Sequence, residues 1–354
     1  GATAIDCCSR IYCEGNKLDK TVMFAVAGSG KTTKIVERLS LEKRSLIVTY
    51  TNNNRENLQR KILLKFDGIW PENITLMTYF SFLYGFCYKP FLSDRVKAKG
   101  IIYERNPNQR LSQSQRAYYL TENRFLYSNR LSLLLENCKV IDDVKNRIET
   151  YFDEFLIDEV QDIAGRDFSL LEMLMEAKVN MLFVGDFFQH TYDTSRDGNM
   201  NKSLFKNKAT YESRFVRRGF IIDSTTLVKS WRCSKSICDF VNKQLGICIA
   251  SNRGPNDDTS VTLVTDPDNV SQILDNRHIV KLHYQMSSRY GDGHKNWGDT
   301  KGEDCYQDVC VMLNRTTAAK FKKGQLQTLP PATRNRLYVA ITRAHGKCFF
   351  IIEK

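Results

Sequence analysis

The chain has 354 residues, 42% of them apolar and 26% charged, a composition typical of globular domains rather than of fibrous or disordered chains. Its net charge of +12 and isoelectric point near 9.1 favour a polyanionic partner such as nucleic acid. The sequence has no apolar run near the roughly 18 residues of a membrane span and no signal-like start, so we expect a cytoplasmic protein without membrane contact.

The eleven cysteines are scattered and odd in number, which fits free thiols in a reducing compartment. Cys7, Cys8 and Cys13 lie close together, whereas the spacing of Cys233 and Cys238 is too wide for a C-x-x-C knuckle. The pattern leaves a structural metal open but does not favour one.

The first predicted strand, residues 22–26, continues into AVAGSGKTT and then into a helix that begins at Lys31. This is the P-loop pattern G-x-x-x-x-G-K-[ST], with Ala25 in the first glycine position. Glycines let the backbone wrap a phosphate, whose charge meets the N–H groups of the helix start. Lys31 would contact the β- and γ-phosphates and Thr32 would bind Mg²⁺. The predicted nucleotide-binding residues of the loop are Ala27, Gly28, Ser29, Gly30, Lys31, Thr32 and Thr33.

Short apolar runs alternate with helical stretches along the chain, the pattern of a parallel sheet covered by helices. The predicted strands after the first are residues 45–50, 74–78, 154–157, 181–184, 226–228, 261–264, 279–283, 309–313 and 348–352. Two such sets predict two α/β domains joined near residues 218–223. Residues 88–149 are rich in helical periods and predict a helical insertion, and residues 287–300 predict a Gly/Asp-rich loop.

The sequence FLIDEVQD places Asp158 and Glu159 at the end of an apolar strand. In open α/β sheets, ligands bind at the carboxyl edge of the strands. Next to a P-loop, Asp158 would hold Mg²⁺ and Glu159 would orient and deprotonate the attacking water. The alternative is a solvated acidic turn.

The sequence MLFVGDFFQH ends another strand and brings Gln189 to the same edge. An amide in that position can contact both the γ-phosphate and the attacking water. The alternative is an Asp/Gln turn without a role in chemistry.

The order of these motifs resembles that of the UvrD/Rep-like superfamily 1 helicases. Later stretches fit the same family: LIVTYTNNNRENL, MTYFSFL, LVKSWRCSKSICDFVN, TKGEDCYQDVCVML and RLYVAITRA. The resemblance implies an α/β fold with two RecA-like P-loop domains, residues 1–220 and 221–354, and a small helical insertion at about 88–149 in the first. Because only about 60 residues separate the fourth and fifth motifs, the large second-domain insertion of longer members is absent.

The resemblance also implies roles for single residues. Trp231 would stack on adenine, Gly302 and Glu303 would bind the nucleotide, and Arg232 and Arg343 would reach the γ-phosphate from the second domain. The implied nucleic-acid contacts are Thr51, Asn52, Thr78, Tyr79, Phe80 and Tyr192. One or more of the aromatic side chains after Thr78 should instead pack in the core, because a strand alternates its faces.

Three features depart from the family pattern. The first glutamine is Gln59, so no adenine-reading glutamine precedes the P-loop. The run after Gln189 keeps Tyr192 but has Thr194 near the usual tryptophan position. The fifth motif is one residue tighter than usual, so Glu303 and Asp304 compete for the ribose role.

The implied function is an ATP- and Mg²⁺-dependent helicase or translocase on single-stranded or partly duplex DNA, moving 3′ to 5′ by family analogy. A motor on RNA is the first alternative. A nucleotide-switched subunit of a larger phage, defence or repair complex, whose other proteins supply missing domains, is the second. A small-molecule kinase would explain neither Arg343 nor the basic charge. We expect a monomer.

Overall fold

A computed structural model of the chain describes residues 18–191, 200–254 and 259–353. The strands in these ranges are β1 (Lys20–Phe24), β2 (Ser45–Thr49), β3 (Ile74–Thr78), β4 (Gly100–Ile102), β5 (Phe125–Tyr127), β6 (Glu154–Asp158), β7 (Asn180–Gly185), β8 (Ile221–Asp223), β9 (Lys229–Ser230), β10 (Ala250–Ser251), β11 (Val261–Leu263), β12 (Val280–His283), β13 (His294–Asn296), β14 (Val309–Leu313) and β15 (Cys348–Ile352).

The helices lie between these strands and cover the sheets. They are α1 (Lys31–Arg38), α2 (Asn52–Lys65), α3 (Tyr79–Ser81), α4 (Lys89–Val96), α5 (Arg116–Tyr119), α6 (Leu131–Asn137), α7 (Ile141–Tyr151), α8 (Gly165–Leu174), α9 (Lys208–Val216), α10 (Lys235–Leu245), α11 (Pro267–Asp275), α12 (Arg315–Lys322) and α13 (Pro331–Ile341). A π-helical segment, Phe82–Tyr88, joins α3 to α4. Among the described residues, no helix combines the length and apolarity needed to cross a membrane.

The first sheet has six parallel strands in the order β3-β2-β6-β7-β1-β8. Every residue of β2 and of β6 is buried, because helices cover both faces of the sheet. Continuous apolar runs are the expected sequence of such strands. The neighbours β6, β7 and β1 end in register, with Asp158 beside Val184 and Phe24 beside Gly185. The residues that follow these three strands therefore meet at one edge.

The second sheet has five parallel strands in the order β11-β15-β14-β12-β13. Its core includes Trp297, Tyr338 and Phe350, which are fully buried. The predicted fold class is confirmed: the chain is α/β, with two parallel-sheet units of the kind expected for RecA-like P-loop domains. We name β1–β8 with their helices the first unit, and the chain from β9 onward the second unit.

The division between the units, predicted at residues 220/221 within a join near 218–223, stays a prediction. Ile221–Asp223 pairs with β1 at the edge of the first sheet, so a boundary before Ile221 would remove a strand from its sheet. The predicted strand at 226–228 is also displaced, to Lys229–Ser230, which forms a two-stranded sheet with β10. We therefore propose a division after Asp223.

Two segments are more regular than predicted. The insertion at 88–149 is not purely helical, because β4 and β5 form a small parallel sheet within it. The predicted loop at 287–300 contains β13, which extends the second sheet, and the buried Trp297, whose indole N–H donates to the carbonyl of Leu282. The polar composition of 287–300 predicted a loop, and a strand of only three residues is too short to change that pattern.

Candidate functional site

The loop between β1 and α1 has the backbone of an anion cradle. Gly28 and Gly30 both have positive φ, +69° and +89°, a region that glycine enters without steric cost. The first turn of α1 has no acidic residue and no side-chain cap on its N–H groups. These groups and the helix dipole are therefore directed at any anion that the loop encloses.

Thr32 and Asp158 lie together below this cradle. The hydroxyl of Thr32 donates to Oδ2 of Asp158 at 3.2 Å, and Oδ1 of Asp158 is buried without a hydrogen-bond partner among the described residues. Burial, and then the charge of Glu159, raise the pKa of Asp158 to about 7. A hydroxyl beside an unsatisfied carboxylate oxygen fits the oxygen ligands that Mg²⁺ prefers, and a cation there would stabilise the charged carboxylate.

Glu159 follows Asp158 with a positive φ of 60°, which is uncommon for a residue with a side chain. Its Oε1 lies 3.7 Å from Nζ of Lys31, and its Oε2 lies 3.4 Å from Nζ of Lys301. Burial alone would raise the pKa of Glu159, but the charges of Lys31 and Lys301 outweigh it and lower the pKa to about 2. The carboxylate is thus charged and held at the edge of the cradle.

Gln189 lies in the turn after β7. Its side chain is buried, and its Nε2 has no hydrogen-bond partner in the part of the chain that the structure describes. The residue lines the same cavity as Lys31 and Glu159. An unsatisfied amide donor that faces a cavity is suited to a phosphate or water oxygen.

The cavity has a volume of about 300 Å³ and lies between the two units. Residues from both units line it: Gly28, Ser29, Gly30, Lys31, Thr32, Thr33, Asn54, Asn57, Lys61, Glu159, Gln189, Trp231, Arg232, Gly302, Asp304 and Arg343. Of the predicted nucleotide-binding residues, Ala27 and Glu303 lie outside this lining. Asp158 lies behind it, against Thr32.

Both predicted arginine fingers reach this cavity from the second unit. Arg343 is 2% exposed, and its guanidinium donates to the carbonyl groups of Thr300 and Glu303. Arg232 donates to Oδ1 of Asp304. The Cβ of Arg232 also lies so close to the P-loop that a Cβ added at Gly28 would be only 2.6 Å from it.

The ribose and adenine predictions fare differently. Trp231 is 68% exposed at the cavity, and its backbone N–H donates to the carbonyl of Gly28 at 2.9 Å. The structure does not bring Glu303 to the cavity, because its carboxylate accepts from Lys295 at 2.6 Å and from Tyr306. Of the two carboxylates that compete for the ribose role, Asp304 lines the cavity and Glu303 does not, and the ribose contact itself stays a prediction.

Tyr338 is a site residue that sequence analysis missed. Its buried hydroxyl accepts a hydrogen bond from the N–H of Ala27 at 2.9 Å and donates to Oδ2 of Asp186 at 3.0 Å. The N–H of Asp186 in turn donates to Gln161, whose amide donates to Glu159. One phenol from the second unit thus ties together the P-loop and the turn that carries Gln189. The sequence offered one signal, the position of Tyr338 inside RLYVAITRA.

Replacing Tyr338 with phenylalanine should destabilise the protein, because the change leaves a buried N–H and a buried carboxylate each short of a partner. The expected loss is about 1–3 kcal/mol of unfolding free energy. Denaturant unfolding measures it, with Tyr290→Phe as the control, since Tyr290 is 54% exposed. Equal stability of the two variants would contradict the buried bridge.

Three of the predicted nucleic-acid contacts lie at helix starts or near the surface. Thr51 caps α2 by accepting from the N–H of Asn54, and the exposed Asn52 is the first residue of that helix. Thr78 caps α3. Thr51 and Asn52 follow the carboxyl end of β2 and Thr78 is the last residue of β3, so all three lie at the sheet edge that also carries the cavity.

The predicted aromatic contacts divide. Tyr79 is 3% exposed and packs in the core of the first unit, so the prediction that it contacts nucleic acid is corrected. Phe80 is half-buried, with its ring centroid 6.2 Å from that of Tyr50 and 5.0 Å from that of Tyr103, which is 66% exposed. Tyr192 lies outside the described residues.

No group of three or more His, Cys, Asp or Glu side chains is placed to hold a metal ion in residues 18–191, 200–254 and 259–353. Cys233 and Cys238 are buried free thiols. Cys7, Cys8 and Cys13 lie outside these ranges, so the open question of a metal at that cluster stays open.

A family model described as an AAA domain matches residues 15–195. No curated protein matches the sequence. Among solved structures, the arterivirus nonstructural protein 10 (helicase) in complex with DNA has 16% identity and a TM-score of 0.48, with 94% of this chain and 60% of that chain covered. A crystal structure of the arterivirus nonstructural protein 10 (helicase) has 15% identity and a TM-score of 0.47, with 94% and 59% covered. The PRRSV helicase has 15% identity and a TM-score of 0.46, with 94% and 52% covered. The chain therefore spans between half and three fifths of the length of these helicases.

Proposed function

Because the chain belongs to the AAA domain family, we propose that it is a nucleic-acid-dependent ATPase that hydrolyses ATP in the cleft between its two units. One observation carries the proposal: Arg232 and Arg343 of the second unit line the same cavity as Lys31 and Glu159 of the first. Phosphoryl transfer needs positive charge around the transferred group and an oriented water, and this cavity has groups for both.

The proposed roles follow from position. The N–H groups of the P-loop and Lys31 would hold the β- and γ-phosphates, while Thr32 and Asp158 would hold Mg²⁺. Bound Mg²⁺ would neutralise charge on the phosphate oxygens. Glu159 would accept a proton from the attacking water, and Gln189, whose amide donor is unsatisfied, would orient that water or the γ-phosphate.

The two arginines would stabilise charge that develops on the γ-phosphate. Because they come from the second unit, hydrolysis would require both units to close on the nucleotide. Release of the products would remove that tie and let the units separate. This cycle is the proposed mechanical step of a translocase, which we place with the UvrD/Rep-like helicases and expect to move 3′ to 5′ on single-stranded DNA.

The proposed nucleic-acid surface consists of Thr51, Asn52, Thr78 and Phe80, with Tyr103 at its margin. Rings on such a surface stack on bases without sequence preference, at about 1–3 kcal/mol each. The insertion next to it is basic and exposed, with cations at Arg95, Lys97, Lys99, Arg105 and Arg110. Charge and aromatic rings together support a single-stranded polyanion as the partner.

The test is ATP turnover by the purified chain with no nucleic acid, with a single-stranded DNA oligonucleotide, and with an RNA oligonucleotide of the same sequence. We expect DNA to stimulate turnover and RNA to do so less. Stimulation by RNA alone would favour the RNA motor, and no turnover in any condition would reject the proposal. Turnover without unwinding of a tailed duplex would favour a nucleotide-switched subunit.

Affinity for single-stranded DNA should fall steeply with salt, because each phosphate that the protein neutralises contributes a slope of about −0.7 in log K against log [salt]. Titrations of a labelled oligonucleotide at several salt concentrations measure this slope. A flat response would mean that the charge of +12 plays no part in binding.

A further inference from the structure

Glu159 is held between one lysine from each unit. Lys31 of the P-loop faces Oε1, and Lys301 of the second unit faces Oε2. Lys301 also pairs with Oδ1 of Asp162 at 2.5 Å, and both of these side chains are nearly inaccessible, 6% and 1% exposed. We name the contact of Lys301 with Glu159 and Asp162 the lysine clasp.

The lysine clasp engages the carboxylate of Glu159, and the proposed hydrolysis depends on that carboxylate. A carboxylate that is to accept a proton from water needs a free oxygen directed at that water. Bound ATP would draw Lys31 toward its phosphates and free Oε1, but Oε2 would keep Lys301 and the amide of Gln161. The carboxylate would then still be oriented by the second unit.

We propose that Lys301 is a positioning residue that holds Glu159 back from the attacking water, so that hydrolysis becomes fast only when a local shift of the loop that carries Lys301 withdraws this side chain while the units stay closed. This inference rests on the proposed ATPase function. A direct role of Lys301 on phosphate fits the structure less well, because Lys31 lines the cavity and Lys301 does not. Its ammonium is directed at the two carboxylates behind the cavity.

The loop that carries Lys301 also touches the other parts of the machinery. The carbonyl groups of Thr300 and Glu303 accept from Arg343 at 3.3 and 2.9 Å. The next residue, Gly302, lies against the start of α2, where an added Cβ would be 3.1 Å from Oδ1 of Asn54. The N–H of Asn54 donates a hydrogen bond to the hydroxyl oxygen of Thr51, a proposed nucleic-acid contact.

These contacts give a physical route from nucleic acid to hydrolysis. A nucleic-acid strand that binds at Thr51 and Asn52 would displace the start of α2. Because α2 contacts the loop next to Lys301, that loop would move as well. A shift of that loop would change both the lysine clasp and the carbonyl contacts that hold Arg343. Nucleic acid would then stimulate ATP turnover in two ways at once. It would release Glu159 from Lys301, and it would reposition Arg343.

The test compares Lys301→Ala and Asp162→Asn, with Lys301→Arg as the charge-preserving control, in ATP turnover with and without single-stranded DNA. Lys301→Ala should raise turnover without DNA about tenfold, the effect of one lost charge-assisted hydrogen bond, and change the stimulated rate less than twofold. Asp162→Asn should lower turnover without DNA, because Lys301 loses its nearer partner and turns wholly to Glu159. Lys301→Arg should resemble the wild type.

If Lys301 only held the units together, Lys301→Ala and Asp162→Asn would change the turnover without DNA in the same direction. That result would overturn the proposed role of the lysine clasp. A wild-type chain that DNA stimulates, with unchanged DNA-free turnover in Lys301→Ala, would also overturn the clasp and leave the proposed function standing. A wild-type chain without turnover in either condition would overturn both. If Lys301→Ala unfolds, as thermal unfolding would show, the direction of change in Asp162→Asn decides.

Discussion

Replacing Arg343 with alanine is expected to slow ATP turnover by about 10³-fold while nucleotide affinity stays close to that of the wild type. The guanidinium is buried at the cavity, and its contacts with the carbonyl groups of Val339, Thr300 and Glu303 fix its direction. Burial, and then the charge of Arg232, lower the pKa of Arg343 to about 10, so it remains charged at neutral pH. A fixed, poorly hydrated cation stabilises an anionic transition state more than it stabilises bound ATP.

Steady-state turnover and binding of a fluorescent nucleotide analogue measure the two quantities separately. Arg336→Ala is the matched control, because Arg336 lies on α13 just before Arg343 but does not line the cavity. The substitution Arg343→Lys would keep the charge without the planar fork, so we expect partial activity from that variant. A loss of affinity as large as the loss of turnover would contradict a role specific to the transition state.

Replacing Glu159 with glutamine should leave nucleotide binding intact and reduce hydrolysis by about 10²- to 10⁴-fold, because an amide cannot accept the proton of the attacking water. The shape of the side chain and the contact with Gln161 are nearly preserved. Lys31 loses an ionic partner at 3.7 Å and is then more available to phosphate, so affinity should not fall.

Glu37→Gln is the control for Glu159→Gln, since Glu37 is an exposed acid on the helix that follows the P-loop. Single-turnover hydrolysis and equilibrium binding distinguish chemistry from affinity. Wild-type turnover in Glu159→Gln would falsify the assignment of the base and would favour Asp186 or Asp162, which are also buried at this edge.

The residues that contact phosphate could be predicted because chemistry and topology restrict them together. A tight turn around an anion requires glycine at Gly28 and Gly30, and parallel strands direct Asp158, Glu159 and Gln189 to one edge. Arg232 and Arg343 could be placed only through the motifs that surround them. The structure brings all of these residues to one cavity or directly behind it.

The contacts between the units could not be predicted from local patterns. Tyr338 and Lys301 act on residues about 150 and 140 positions earlier, and nothing in their own surroundings states which groups they will meet. The nucleic-acid contact of Tyr79 was implied by the family resemblance, whereas Tyr79 packs in the core, as expected of at least one aromatic side chain after Thr78. Alternation of faces is not the reason, because the strand ends at Thr78 and a helix begins. Strands of three residues, such as β4 and β13, are too short to show a period.

The exposure of Trp231 has a practical consequence. The chain has three tryptophans, of which Trp297 is fully buried and Trp70 is half-buried with its indole bonded to Ile74. Trp231 is the exposed tryptophan, so contact with solvent dominates its fluorescence emission. It also stands at the rim of the cleft. Its intrinsic fluorescence is therefore a label-free optical signal for occupancy of the cleft, and stopped-flow recordings could follow each round of filling and emptying without a dye.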